Sequence, residues 1–115
     1  MLNVLVTMPF GEERLAAVRA VSPKVRVTCE DVQKADYSRV DVLYAGSPPR
    51  DLSKAPGLKW VQLHMAGVNA LADHPLYTDR AVLLTTSSGV HAATIAEYAV
   101  SVLLALAHRV PRMVE

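Results

Sequence analysis

The sequence predicts an α/β fold, with an open parallel sheet of about five strands and flanking helices. Three observations predict it. Short apolar runs rich in Val and Leu recur along the chain, each closed by Gly, Pro or Ser. Helical or polar stretches separate them, and no Asn-Gly hairpin signal joins one run to the next.

Residues 2–8 form the first run, closed by Pro9 and Gly11. A short run apolar on both faces suits a strand covered on both sides. Residues 11–21 place Leu15, Val18 and Val21 at spacings of three, with Ala16 and Ala17 beside Leu15. Glu12, Glu13, Arg14 and Arg19 fall largely on the other side. This predicts an amphipathic helix with its acids at the dipole's favoured end, stopped by Ser22-Pro23. Residues 24–29 alternate as K-V-R-V-T-C and predict a half-exposed edge strand. The polar residues 30–37 suggest a short helix. Residues 40–45, 58–65 and 82–86 are three more strands, ended by Gly46-Ser47-Pro48-Pro49, Ala66-Gly67-Val68 and Ser87-Ser88-Gly89. A long helix over residues 91–109 follows, with Pro111 just beyond.

Composition narrows the classes of function. In 115 residues, 51% are hydrophobic and 20% charged, which excludes disorder. Twelve basic against eleven acidic residues leave a net charge of +1, no footprint for nucleic acid or an anionic membrane. The lone Cys29 excludes a disulfide framework and a cysteine metal cluster and suits a reducing cytoplasm. No basic region precedes the first apolar run, so no signal peptide is expected. His64, His74 and His108 lack metal-ligand spacing, and no metal is assigned. Residues 92–107 are almost wholly apolar, yet too short and interrupted by Glu97 to span a bilayer. A soluble, cytoplasmic protein is expected.

In open parallel sheets, ligands sit at the carboxyl ends of the strands. The small-residue loops at Ala45-Gly46-Ser47, Ala66-Gly67-Val68 and Ser87-Ser88-Gly89 are therefore where a site is expected. Gly67 and Gly46 have two readings. Each is either a turn glycine needed for positive φ or close packing, or a backbone that lets successive N–H groups approach an anion. The long helix carries a second signal. Ile95, Tyr98, Val102 and Leu106 form one stripe, while Val100, Leu103, Leu104 and Ala107 occupy other faces. A helix apolar around most of its circumference requires burial on most of it. The sheet can cover one side only, so a second layer or something outside the chain must cover the rest. A solvated helix with no neighbour on its outer flank would contradict this.

Two segments carry a resemblance. L-K-W-V-Q-L-H-M-A-G-V-N (residues 58–69) and V-L-L-T-T-S-S-G-V-H-A-A-T-I-A-E-Y-A-V-S-V-L-L-A-L-A-H-R (residues 82–109) resemble the D-isomer-specific 2-hydroxyacid dehydrogenase family, in its N-terminal substrate-binding part. Asn69 replaces the commoner Asp of that A-G-V-D loop. The resemblance implies a flavodoxin-like substrate-binding domain over residues 1–109. Within it, residues 91–109 would be an interdomain helix, and residues 110–115 would start a linker to a missing nucleotide-binding domain. It further implies hydride transfer between NAD or NADP and a small 2-oxo or 2-hydroxy acid. Family members continue into a G-x-G-x-x-G nucleotide domain that also holds the catalytic Arg, Glu and His. The five glycines here are too scattered for that fingerprint. The chain is accordingly expected to be a fragment or truncated product, inactive alone, binding no cofactor itself and holding no catalytic residue.

By the same resemblance, Ala66, Gly67 and Val68 present N–H groups to the substrate carboxylate. Ala45 and Gly46 line the pocket for its variable side chain. His91 faces substrate and nicotinamide, and Ala92 and Ile95 brush the cofactor. The ordinary reading of His91 is a residue at a helix start. Glu97 is expected to meet a backbone donor or a cation. Two other folds of this class fit the residues less well. A receiver domain needs clustered acids at strand ends that here read Met8-Pro9-Phe10 and Tyr44-Ala45-Gly46, and the first loop lacks the Ser/Thr-rich turn of a flavin-phosphate site. The better alternative is a non-catalytic flavodoxin-like dimerisation or interaction module. Either way a homodimer through residues 92–107 is expected, since exposed apolar patches mark association sites.

Overall fold

Strands that are apolar on both sides are stable only when paired in a sheet and covered above and below. The computed structural model, which describes residues 1–79 and 81–113, shows how far this chain achieves that. Five strands, β1 (Leu2–Val6), β2 (Val25–Cys29), β3 (Val42–Ala45), β4 (Trp60–Leu63) and β5 (Leu83–Thr85), form one parallel sheet. Their order is β2-β1-β3-β4-β5, the flavodoxin-like arrangement. The half-exposed β2 lies at an edge, with Val27 buried between exposed Arg26 and Thr28. The strands are shorter than the apolar runs, but flanking residues still bond across: Asp41 N–H to the Asn3 carbonyl at 3.0 Å, and Lys59 N–H to the Asp41 carbonyl at 2.8 Å.

Register divides the sheet into two faces. Leu5, Leu43, Val61 and Leu84 align on one, joined by Ala45 and Leu63. The connections after β2, β3 and β4 cover this face with Ala35, Tyr37, Val40, Ala55, Leu58, Leu71 and Leu76. These connections hold 3₁₀ turns at Leu52–Lys54, Asn69–Leu71 and Pro75–Tyr77. Residues 30–37, expected to include a short helix, form turns instead. Asp31 accepts from Gln33 N–H and Asp36 accepts from Ser38 N–H, each at 2.9 Å, and such side-chain bonds compete with the helical ladder.

The opposite face receives α1 (Glu12–Arg19) alone, which packs Leu15 against Val6 and Val27. Glu12 and Glu13 occupy its first turn, and Arg19 in its last turn bridges back to Glu12. Val21, assigned to the apolar stripe, lies past the helix end and is 77% exposed. Over β3 to β5 this face has no helix, leaving Trp60 39% and Leu83 58% exposed.

The long helix α2 (Ala92–Ala107) departs from expectation. It buries no residue against the sheet and projects away from it. The radius of gyration is 19.3 Å, against about 13 Å for a compact chain of this size. Every residue of α2 except half-buried Ala105 is exposed, so the sheet cover expected on one side is absent and the helix stands solvated within the chain, the arrangement named above as contradicting the expectation of burial. Glu97, expected to meet a donor or cation, is exposed, and among the described residues its side chain makes no hydrogen bond. Helix α2 ends at Ala107 with His108 as its C-cap; Arg109, with φ of 58°, then breaks the right-handed run, and a 3₁₀ turn Val110–Met113 follows. Of the expected linker start at 110–115, residues 114 and 115 lie outside the described residues. Among the described residues, no helix is long and apolar enough to cross a membrane.

Candidate functional site

Parallel strands deliver their carboxyl ends, and the loops after them, to one edge of the sheet. The loops after β3, β4 and β5 leave side by side there, joined by His64 N–H to the Ala45 carbonyl and Ser87 N–H to the Met65 carbonyl, each at 3.0 Å. The strand order reverses between β1 and β3, which is where such sheets open a crevice.

The loop Ala66-Gly67-Val68 has free backbone. None of these three N–H groups donates to an acceptor among the described residues. Ala66 and Gly67 are exposed and Val68 is half-buried. Gly67 has neither feature that a structural glycine needs. Its φ is not positive, and a Cβ built there meets nothing within 4 Å. Gly89 differs, since its φ of +87° sets the turn into α2 and disfavours any side chain. Beside the loop, Val68, Leu76, Tyr77, Leu84 and Thr86 line a cavity of about 240 Å³. Val68 is the one residue of the loop that lines it, and Tyr77 and Thr86 add hydroxyls to its aliphatic wall.

The other expected residues are placed differently. Gly46 is half-buried against Met8, whose Sδ would lie 3.2 Å from an added Cβ. Ala45 is fully buried in the core on the 3₁₀-covered face, so its methyl is not a lining surface. The β alternation turns the Ala45 side chain inward, and Gly46 is the more accessible of the two. His91 is the N-cap of α2 but makes no side-chain cap bond. Ala92 and Ile95 are exposed on the first turn of the projecting helix. Among the described residues, no hydrogen bond joins these three to Gly46 or Gly67.

One polar pair at this edge escaped sequence reasoning. Tyr44 Oη and His64 Nδ1 lie 2.7 Å apart, with ring centroids at 5.9 Å. Phe10 packs on Tyr44 at 5.1 Å, and the Arg14 guanidinium sits 5.9 Å over the Phe10 ring. The phenol donates when His64 carries its proton on Nε2, leaving that N–H free to the exterior. The usable signal was positional: Tyr44 and Gln62 are register partners, and His64 lies two residues on, hence on the same face. Among the described residues, no group of three or more His, Cys, Asp or Glu is placed to hold a metal ion.

Comparison with known proteins adds one finding. No protein-family model matches the chain, and no curated protein sequence matches it. Among solved structures, it is similar to the crystal structure of phosphoglycerate dehydrogenase from Lactobacillus plantarum. The TM-score is 0.59 and the identity 27%, over 90% of this chain and 34% of that one. The chain thus spans about a third of that protein's length.

Proposed function

We propose that this chain is the substrate-binding part of an oxidoreductase that transfers hydride between NAD(P)H and a small 2-oxo or 2-hydroxy acid, of the D-isomer-specific kind. The observation that carries the reading is the row of unpaired N–H groups at Ala66, Gly67 and Val68, around a glycine that neither backbone strain nor packing requires. The similarity to a dehydrogenase over 90% of the chain supports it.

In this reading the three N–H groups hold the substrate carboxylate and fix its orientation. Successive backbone donors do this without a charged side chain. Gly46, backed by Met8, bounds the space for the variable group. The aliphatic cavity behind Val68 keeps water from that flank, and a dry site strengthens polar contacts. His91, at the start of α2, faces substrate and nicotinamide in this reading. The dinucleotide itself does not fit this chain. The first turn of α1, where a pyrophosphate would need free N–H groups and positive potential, carries Glu12 and Glu13. A nucleotide domain elsewhere is required, and Ala92 and Ile95 offer it only an exposed surface. The chain alone is therefore expected to show no oxidation of NADH by 2-oxo acids; measurable turnover by the purified chain would overturn that expectation.

Amide chemical shifts test the reading directly. Titration with pyruvate is expected to move the Ala66, Gly67 and Val68 signals, while the neutral pyruvamide leaves them in place. Gly67→Ala, whose methyl enters open space, is expected to keep the fold and weaken the response. An unmoved loop, or one equally sensitive to the amide, rejects the assignment. That outcome would favour the second reading, a non-catalytic interaction module, which the uncovered α2 and the bare sheet face support.

A further inference from the structure

The connections after β2 and β3 leave a cavity of about 540 Å³ between them, and no residue of the loop Ala66 to Val68 lines it. That volume is in the range of small-molecule sites, roughly 300–1,000 Å³. Pro48, which is buried, and half-buried Ala35, Tyr37 and Pro49 form an apolar wall. Exposed Arg50 and Lys54 are the cations that line it, and among the described residues neither pairs with a carboxylate. Arg50 is held in place all the same, because its Nη2 donates to the Asp73 carbonyl at 3.2 Å. A guanidinium carries five N–H donors, so most of the fork stays available. The acids of these two connections are engaged differently. Glu30 accepts from Asp36 N–H at 3.2 Å, Asp31 from Gln33 N–H at 2.9 Å, and Asp36 from Ser38 N–H at 2.9 Å. Asp51, which lines the cavity, accepts from Ser53 N–H at 3.1 Å and Ser53 Oγ at 2.6 Å. Each acid is tied into a backbone turn, while the two cations have no charge to answer them.

We propose that this cavity binds an aromatic carboxylate, its ring against Tyr37, Pro48 and Pro49 and its carboxylate on Arg50 and Lys54. Charge complementarity selects the head group. The planar Arg fork matches the two oxygens of a carboxylate, and a lysine adds a point charge beside it. The apolar wall selects the body. A phenol ring offers an aromatic partner its face or its edge, and a bare inorganic anion leaves that wall unused. Tyr37 is fixed for this role, since its Oη donates to the Val32 carbonyl at 3.4 Å. Burial, then the Glu30 charge, push the Tyr37 hydroxyl above its ordinary value, so the phenol adds no negative charge beside a bound carboxylate. The site is independent of the substrate reading, because it uses no residue of the loop Ala66 to Val68 and requires no dinucleotide.

The test is a titration of the 115-residue chain with benzoate, neutral benzamide and inorganic phosphate, read by backbone amide shifts and the Arg50 Nε–H signal. Benzoate is expected to move the signals of residues 33–37 and 47–54 saturably. Benzamide and phosphate should each bind about tenfold more weakly or worse, the loss that goes with a missing charged hydrogen bond or a missing apolar contact. Arg50→Gln should weaken benzoate by about tenfold, and Arg50→Lys should recover only part of that, because it keeps the charge without the fork. Lys54→Gln should weaken it less. Both positions are exposed, so these changes leave the core intact. Shifts at Ala66 to Val68, read in the same spectra, report the substrate loop separately. Any of four results overturns the proposal. They are no saturable shift at residues 33–37 and 47–54 by tens of millimolar benzoate, an equal response to benzamide or to phosphate, unchanged affinity in both cation variants, and shifts confined to Ala66 to Val68. The last would place carboxylate binding at the substrate loop alone.

Discussion

At the scale of single residues, Asp41 is the tie at the amino edge of the sheet. Its carboxylate accepts from Asn3 N–H at 2.9 Å and pairs with Lys59 Nζ at 2.8 Å, joining β1, β3 and the start of β4. The Asn3 backbone bond, then Lys59, holds the Asp41 carboxyl below its ordinary value. A carboxyl lowered in the folded state stabilises the fold above its unfolded value, near 3.9, and that contribution is lost as pH falls through the lower folded value. Denaturant midpoints between pH 5 and 3 should therefore fall less steeply in Asp41→Asn than in the wild type. Some slope should persist, because Asp36 and Asp51 are also lowered, through bonds from Ser38 and Ser53. Equal slopes would remove Asp41 from this role. His74 was legible only as a histidine without metal spacing, and the structure gives it work. Buried, its Nδ1 accepts from Leu76 N–H at 3.2 Å and caps the 3₁₀ turn Pro75–Tyr77. That bond puts the proton on Nε2, which finds no partner among the described residues. His74→Ala is expected to cost roughly 1–2 kcal/mol by the loss of a cap, and His74→Asn, which keeps an acceptor, to recover part of it in thermal unfolding.

At the scale of elements, periodicity located every strand, because burial on both faces writes itself as an apolar run. It failed at residues 30–37, a polar stretch in which Asp31 and Asp36 accept bonds that close turns instead of a helix. It also failed on the surroundings of α2. A 3.6-residue pattern tells how much of a helix wants cover, but not where the chain directs it. Between β5 and α2 lie Ser87, bonded to the Leu63 carbonyl, and Gly89 at φ +87°, features that no periodicity contains. Two substitutions check the ends of α2. Gly89→Ala forces a side chain onto φ +87° and is expected to cost roughly 1–2 kcal/mol. Arg109→Gly relieves a φ of 58° at the helix end and is expected to stabilise by about 1 kcal/mol. Denaturation midpoints that moved in the opposite sense would show that these turns do not shape the helix ends.

At the scale of the whole molecule, one sheet face is finished and the other is not. The finished face is closed by the connections after β2, β3 and β4, the last two of which hold 3₁₀ turns. The unfinished one keeps α1 at one side and a groove at the other, with α2 directed past it. The sequence carried the half of the candidate site that depends on backbone, since small residues after apolar strands mark loops at the ligand edge. It concealed the Tyr44 and His64 pair, which exists only because β3 and β4 are neighbours in register. Nor does it show that the Ala45 methyl is buried, since alternation along a strand decides which way a side chain faces. The joint need of α2 and the bare face for another polypeptide is the claim on which most depends. Amide hydrogen exchange along α2, followed over a dilution series, measures it most directly. Slow exchange at high concentration that becomes fast on dilution is the expected result. Exchange that is slow at every concentration would mean the chain covers its own helix, and exchange that is fast throughout would mean the helix needs no cover; either contradicts the claim.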